Sequence, residues 1–319
     1  MQQHPASIRL QQGKLPKSQT HALPDGIGNN SQAAGRINHS IRSARCPSFM
    51  KLSVIIITKN EADNIQACLE SVGFADERII VDSGSSDGTV EIARRLGARV
   101  ISTADWPGFG PQKNRALDAA QGEWVLSLDA DERIPEALRD EILEAIADGR
   151  HSAWQMPRLS SFCGRFIRHS GWYPDYLVRL FRRGCARFTD SLVHENIIVS
   201  QGSTGRLRSA IIHYSYTDHD DVLRKMAQYS ALGARQAFDA GKRGSYRKAL
   251  GHALAAFLRA YVFKRGFLDG RAGLMVAINA AEVTYHKYVR LMLLTEAASA
   301  APAATPAEEE HASARDRIS

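Results

Sequence analysis

Cysteine is scarce in this sequence of 319 residues, and its few positions follow no motif. No two of them have the CxxC spacing that zinc sites and redox pairs use, so the sequence predicts neither kind of site. We therefore expect reduced thiols in a cytoplasmic protein. The four positions are Cys46, Cys68, Cys163 and Cys185.

Long apolar runs are also missing. No stretch is apolar and free of charge over enough residues to cross a bilayer. The first residues, MQQHPASIRLQQGKLPKSQT, contain no apolar core of the kind that a secretory signal needs. We expect neither a membrane-spanning nor a secreted protein.

Acidic residues are outnumbered, since 34 Asp and Glu face 41 Lys and Arg and give a formal net charge of +7. A basic balance indicates an anionic partner. It leaves open whether that partner is a phosphate compound, a nucleic acid or a membrane surface.

Composition divides the chain into four parts. Residues 1–48 are polar without periodicity and residues 298–319 are of low complexity, so we predict disorder at both ends. Met50 directly precedes the first predicted strand and is a candidate start codon. Between the ends we predict a catalytic domain over 50–215 and a helical, membrane-associating region over 216–297.

The catalytic part begins with a regular alternation of strands and helices, which predicts a doubly wound α/β sheet. Such sheets bind ligands at the carboxyl ends of their strands. Asp82 and Asp129 each end a predicted strand, so we expect both on one rim. The predicted strands are 52–58, 78–82, 99–103 and 123–129.

Acidic residues crowd the end of the last of these strands, in the stretch GEWVLSLDADERIP. Mg²⁺ and Mn²⁺ prefer oxygen ligands, so Asp129 and Asp131 predict a metal site that would neutralise nucleotide phosphates. The alternative is a solvated acidic turn. Asp82 is a candidate acceptor for the imide N–H of uracil, whereas Asn60 and Asp87 are expected to cap the helices that follow the first and second strands. The segment TKNEADN replaces a GxGxxG motif after the first strand, which argues against a dinucleotide-binding fold.

Four segments in order, SVIIITKNEADNI, VDSGSSDGT, GPQKNRAL and WVLSLDADE, resemble the motifs of family 2 glycosyltransferases of the GT-A fold. The resemblance implies a UDP-sugar donor, with Asp129 near the ribose and diphosphate and Asp131 as metal ligand. It places Lys113 and Arg115 near the diphosphate, although a solvated helix face is an equal alternative. The residues implied around the uridine are Thr58, Asn60, Glu61 and Asp82.

The later segments WYPDYLVRLFRRGCARFTDSLVHENI, IIHYSYTDHDDVLRKMAQYS and YVFKRGFLDGRAGLMVAI resemble a subgroup, the lipopolysaccharide core glucosyltransferases. This similarity implies a lipid-linked saccharide acceptor, with glucose added to a heptose. A polyprenyl-phosphate acceptor is the nearest alternative. A nucleotidyltransferase, or a membrane-bound scaffold with a degenerate transferase fold, is more distant.

Inversion at the sugar needs a base that takes the proton of the acceptor hydroxyl. We place Glu195 first and Asp175 second, with Asp190 as a further candidate; an ion pair with a nearby arginine is the alternative role for Glu195. His194 and His213 are candidates to orient the base or to bind the metal. Arg179 suits a diphosphate because its planar guanidinium matches phosphate oxygens.

Basic residues interleave with apolar ones between Lys242 and Arg271. This pattern indicates helices that lie on an anionic membrane surface, which predicts a peripheral protein at the inner face of the cytoplasmic membrane. An ordinary core helix with a basic outer side is the alternative. No recognised nucleic-acid motif accompanies the pattern, so we expect no nucleic-acid partner.

Overall fold

The structure is a computed structural model, and it describes residues 51–189 and 196–300. The strands are β1 (Leu52–Thr58), β2 (Glu77–Asp82), β3 (Arg99–Ser102), β4 (Trp124–Ser127), β5 (Glu132–Arg133), β6 (Ala153–Phe162), β7 (Arg165–Phe166), β8 (Asp175–Arg182), β9 (Ala186–Phe188), β10 (Ile197–Val199), β11 (Thr204–Arg206) and β12 (Ile211–Tyr216). The α-helices are α1 (Ala62–Ser71), α2 (Thr89–Arg95), α3 (Phe109–Ala119), α4 (Glu136–Asp148), α5 (His219–Asp239), α6 (Tyr246–Leu258) and α7 (Gly270–Ala300). A π-helical turn (Arg259–Phe263) and a 3₁₀ turn (Gly266–Asp269) connect α6 to α7.

One mixed sheet organises the catalytic part, in the order β3-β2-β1-β4-β8-β6-β12-β5. The first four strands in this order are parallel neighbours, as the alternation of strands and helices predicts. Strand β8 then lies antiparallel between β4 and β6. Strands β7 and β11 pair with β6, and β9 pairs with β10 in a small sheet of its own.

Both faces of the parallel strands are buried, because successive side chains of a strand point to opposite faces. Val54 and Ile56 pack into the core that α1, α2 and α4 cover, through side chains such as Ile65 and Leu138. Ile55 packs into the second core, under α3. Two covered faces explain why β1 has a continuous apolar sequence.

The expected capping of α1 by Asn60 is wrong. Asn60 has a φ of 56°, and its Oδ1 accepts the backbone N–H of Ser86 at 2.9 Å instead. Asp87 serves two helices: its Oδ2 accepts the N–H of Ala62, and its Oδ1 accepts the N–H of Thr89. These are the first residues of α1 and α2, so the predicted role of Asp87 as a cap is confirmed.

Helices α5 to α7 and the two turns form the region after the sheet. Helix α7 runs to Ala300, so the first residues of the predicted tail continue a helix. In the described part of the chain, no helix is long and apolar enough to cross a membrane. Residues 1–48, the candidate start Met50 and residues 301–319 lie outside the described residues.

Candidate active site

A cavity of about 1030 Å³ opens where the parallel strands end. Its wall combines residues that follow β1 and β4 with residues from α3, β8, β12 and α5. Six side chains that the sequence indicated for donor or metal binding meet there, although they come from distant parts of the chain. They are Glu61, Lys113, Asp129, Asp131, Arg179 and His213.

Asp82 builds the loop that follows β2. Its Oδ1 accepts hydrogen bonds from the hydroxyls of Thr58 at 2.9 Å and Ser85 at 2.5 Å, and its Oδ2 accepts the backbone N–H groups of Gly84 and Ser85. Four donors fill the acceptor capacity of one carboxylate, and Asp82 is only 2% exposed. A uracil N–H would have to replace one of these donors, so the geometry supports a structural role for Asp82.

The loops after β1 and β2 are joined by further hydrogen bonds. The backbone N–H of Asn60 donates to Ser85 Oγ at 2.8 Å, and that of Glu61 donates to Thr89 Oγ1 at 2.8 Å. Glu61 faces the cavity, and burial raises the pKa of its carboxyl group although Asn64 donates a hydrogen bond to it. The two loops are therefore joined to each other, and Glu61 lines the cavity from the loop after β1.

A largely buried ion network lies at the wall of the cavity. Lys113 Nζ is 2.9 Å from Asp129 Oδ1, and Arg179 Nη2 donates at 2.7 Å to both Asp129 Oδ2 and Glu132 Oε1. Glu132 Oε2 accepts the backbone N–H of Asp129 at 3.0 Å. The two cations are 4% and 5% exposed and Glu132 is fully buried. Two of the acids that crowd this strand end, Asp129 and Glu132, therefore have cationic partners.

The pKa values of the two carboxyl groups in the network shift in opposite directions. Burial alone would raise the pKa of Asp129, but Arg179 and Lys113 beside it hold that pKa well below its ordinary value. Burial raises the pKa of Glu132, and the neighbouring Asp129 charge adds to the shift. Asp129 is also a poor candidate for a metal ligand, because both of its oxygens already contact cations.

Asp131 and His213 form a second pair on the cavity wall. His213 Nε2 lies 3.2 Å from Asp131 Oδ2, and His213 Nδ1 lies 2.9 Å from the hydroxyl of Ser160. The pairing of β5 with β12 sets this geometry, since His213 stands opposite Glu132 and the N–H of Tyr214 donates to the Asp131 carbonyl. Among the described residues, no group of three or more His, Cys, Asp or Glu side chains is arranged to hold a metal.

Five predicted residues among those described do not line the cavity: Thr58, Asn60 and Asp82 in the two loops, and Arg115 and Asp175. Arg115 donates two hydrogen bonds to the exposed Asp105, at 2.9 and 2.7 Å, on the outer side of α3. Its alternative interpretation, a solvated helix face, fits this position better than a diphosphate contact. Asp175 accepts hydrogen bonds from the guanidinium of Arg158 at 2.8 and 3.2 Å, which weakens it as a base.

Glu195, Asp190 and His194 lie outside the described residues. The chain on either side is held together, because Thr189 and Asn196 exchange two hydrogen bonds. Asn196 and Ile197 line the cavity.

The sequence reasoning missed several cavity residues. Arg158, 3.7 Å from Glu132, sits in a strand of ordinary composition and gave no signal. Trp106 and Phe109 are more than 40% exposed beside the cavity and meet edge to face at 4.9 Å. The only signal in the sequence was the pair of aromatic residues in the Pro- and Gly-containing segment ADWPGFG. Lys225 and Tyr229 of α5 also line the cavity.

The sequence profile of the family described as "Glycosyl transferase family 2" matches residues 53–215. The chain belongs to this family. It is therefore a glycosyltransferase, and the predicted α/β fold of the GT-A type, followed by a helical region, is confirmed by the membership together with the observed sheet. The matched range contains Asp82, Asp129, Asp131 and His213.

Two relatives match most of the chain. An uncharacterized glycosyltransferase of Rickettsia typhi is 31% identical over 258 residues, which cover 77% of this chain and 87% of the relative. A lipopolysaccharide core biosynthesis glycosyltransferase, LpsC of Rhizobium meliloti, is 31% identical over 259 residues, covering 75% and 93%. This family 2 glycosyltransferase thus has a distant relative in core biosynthesis.

Among solved structures, S. aureus TarS 1-349 in complex with UDP is similar, with a TM-score of 0.42 and 18% identity over 78% of this chain and 92% of that chain.

Proposed function

We propose that the protein is an inverting glycosyltransferase that moves a sugar from a UDP-sugar to a heptose of the lipopolysaccharide inner core. Glucose is the first candidate for the transferred sugar. The observation that carries the proposal is the cavity, on whose wall two buried cations stand beside the Asp131–His213 pair. Cations suit a diphosphate, and a carboxylate paired with an imidazole suits a divalent metal.

Lys113 and Arg179 are the proposed diphosphate partners. Asp129 holds both of them in place, at 2.9 and 2.7 Å, so little side-chain freedom is lost when phosphate oxygens bind. Positive groups fixed before the reaction stabilise the charge that develops on the departing UDP. Glu61, with Thr58 and Asn60 behind it, is proposed to border the uridine.

Asp131 and His213 are the proposed ligands of Mg²⁺ or Mn²⁺. The donor set fits, because these ions use one or two protein carboxylates and complete their shell with phosphate oxygens and water. Ser160 supports either tautomer of His213, since a hydroxyl both donates and accepts; metal binding at Nε2 would place the proton on Nδ1. A bound ion would neutralise part of the diphosphate charge.

Glu195 is the proposed base. Its carboxylate takes the proton of the acceptor hydroxyl while the new bond to the anomeric carbon forms and the bond to UDP breaks. The support is that Asn196 and Ile197, which follow it in the chain, line the cavity. Asp175 is second, because Arg158 already pairs with it.

The acceptor proposal rests on the similarity to the Rhizobium meliloti core glycosyltransferase. A saccharide assembled on lipid and a UDP-sugar meet in the cytoplasm, so we place the enzyme at the inner face of the cytoplasmic membrane.

Thermal melting with UDP and Mn²⁺, singly and together, tests the donor proposal. Ligand binding to the native state raises the melting temperature by mass action. We expect UDP to raise it, Mn²⁺ to enlarge that shift, and GDP, ADP and NAD⁺ to do less. Asp131→Asn should lose only the increment due to Mn²⁺, whereas Arg115→Ala should behave as wild type. No shift with UDP, or a larger one with NAD⁺, would contradict the proposal.

Turnover tests the acceptor and the base. UDP release from UDP-glucose should require a heptose-containing core saccharide, and Glu195→Gln should lower it by on the order of a hundredfold or more while keeping the UDP melting shift. Asp175→Asn is the matched control and should have a smaller effect. Transfer to polyprenyl phosphate alone would refute the core-saccharide acceptor.

A further inference from the structure

Exposed apolar side chains are concentrated in one stretch of the helical region, residues 246–278. Eleven of the 21 large apolar side chains exposed in the described residues belong to it. Soluble surfaces carry such residues singly, and a concentration of them marks an interaction site. They are Tyr246, Leu250, Leu254, Leu258, Val262, Phe263, Phe267, Leu268, Leu274, Met275 and Ile278.

These side chains lie on one face of α6, on one face of α7 and in the turns that connect the two helices. Tyr246, Leu250 and Leu254 follow one another at four-residue intervals on α6 and are 60–62% exposed. On α7, the exposed side chains are Leu274, Met275 and Ile278, and the residues on either side of them, Gly273, Val276 and Ala277, are buried. Phe263, at 77% exposure the highest value among these side chains, stands at the end of the π-helical turn between the two helices.

Charge in the same part of the chain is almost entirely positive. From 242 to 278 there are eight Lys and Arg against one acid, Asp269. The net charge of this stretch therefore equals that of the whole chain. Asp269 does not offset it at the surface, because its side chain is 8% exposed and accepts hydrogen bonds from the backbone of Arg168 and His169.

The stretch is anchored to the catalytic part. Besides the contacts of Asp269, the backbone N–H of Ser170 donates to the carbonyl of Lys264 at 2.9 Å. Helix α7 also packs on α5 through Leu291 and Ala234, and α5 supplies Lys225 and Tyr229 to the cavity wall. The exposed apolar face and the catalytic cavity thus belong to one connected structure.

We propose that residues 242–278 form a lipid-docking face. It inserts Phe263 and the exposed α6 side chains Tyr246, Leu250 and Leu254 into the headgroup region of an anionic bilayer. Apolar side chains bordered by cations are the pattern of interfacial helices. Two copies of this face would repel each other because both are cationic. Eight of the eleven exposed side chains, such as Leu250 and Leu254, have no aromatic ring that could stack on nucleic-acid bases, so lipid fits better than RNA or DNA.

Vesicle flotation of the full-length protein tests this face without any donor or acceptor sugar. We expect binding to phosphatidylcholine vesicles that contain phosphatidylglycerol, and little binding to phosphatidylcholine alone. Salt at about 0.5 M should weaken binding, because it shortens the Debye length to a few ångströms. Phe263→Ser with Leu254→Ser should weaken it by on the order of tenfold or more.

Matched variants separate this face from general surface effects. Ile198→Ser removes a side chain of similar exposure on β10, and Arg94→Glu with Arg95→Glu reverses two exposed charges on α2; both should bind vesicles as wild type does. Arg247→Glu with Arg271→Glu should weaken binding.

Three results would overturn the proposal. They are equal binding of all variants, no binding to anionic vesicles, and a dimer or an RNA complex that the Phe263 and Leu254 changes abolish while no vesicle binds. The UDP melting shift should be unchanged in the docking variants, so a failure here is distinct from a failure of the proposed transferase activity.

Discussion

Replacing Arg179 by leucine removes the cation that two carboxylates share. Arg179 Nη2 contacts Asp129 and Glu132 at 2.7 Å each, and Glu132 is fully buried. Breaking a buried ion pair by deleting one partner costs about 3–5 kcal/mol, because a buried charge is left behind. Arg182→Leu on the same strand is the matched control. Its partner Glu123 is exposed, so its ion pair is worth about 0–1 kcal/mol.

The stability lost in the Arg179→Leu variant should depend on pH. Burial already raises the pKa of Glu132, and without Arg179 it should rise further. Between the unfolded value of about 4.3 and that raised pKa, the native state holds the extra proton. Stability therefore falls as pH rises through this window. We expect a smaller loss at pH 5, where a neutral Glu132 is tolerated, than at pH 8.

Urea unfolding followed by tryptophan fluorescence measures these differences at both pH values. Should Arg179→Leu unfold too readily, the double variant with Glu132→Gln should recover more than about 1 kcal/mol, because the stranded charge is gone. A loss for Arg179→Leu no larger than for Arg182→Leu, or a loss equal at pH 5 and pH 8, would refute the reasoning.

Three further predictions concern the cavity. Ser160→Ala should weaken Mn²⁺ binding by about 10- to 100-fold, because His213 loses its orienting partner; turnover should recover at high Mn²⁺, and a defect that Mn²⁺ does not restore would contradict this. Trp106→Ala should raise the KM for the acceptor saccharide by about three- to tenfold through loss of an aromatic contact. The UDP melting shift should stay unchanged, and a change in that shift alone would assign Trp106 to the donor. Arg115→Ala should leave steady-state turnover unchanged, since its guanidinium pairs with Asp105 outside the cavity; a marked fall in kcat would restore its predicted diphosphate role.

The parallel half of the fold was readable from sequence for a physical reason. Strands covered on both faces are apolar at most positions, as β1 is over residues 54–57, and the helices between them show their own periodicity. Strand β5 has two residues and no pattern, and nothing local shows that β8 inserts antiparallel beside β4. The predicted capping of α1 by Asn60 was wrong because its side chain accepts a hydrogen bond from the backbone of Ser86, 26 residues away.

Site residues that follow a strand end were predicted from the sequence, and so were Arg179 and His213, but their contacts with the acidic loop were not, because these contacts depend on long-range strand pairing. Asp129 and Asp131 stood out because they follow an apolar strand. The partner of Asp129, Arg179, lies 50 residues later, and only the β4–β8 pairing brings it there. Asp82 has the expected position but not the free oxygens, because Ser85 and Gly84 use them.

The pairing of β5 with β12 has a consequence for synthesis of the protein. A ribosome releases the chain from its N-terminus, and domains fold as their segments emerge. The acidic loop after β4 appears early, but Arg179 and His213 follow only 50 and 82 residues later. The set of contacts around the acidic loop is therefore complete only after β12 has left the ribosome. A fragment that ends before Ile211 would contain the acidic motif with Lys113 and Arg179, but without His213, the partner of Asp131.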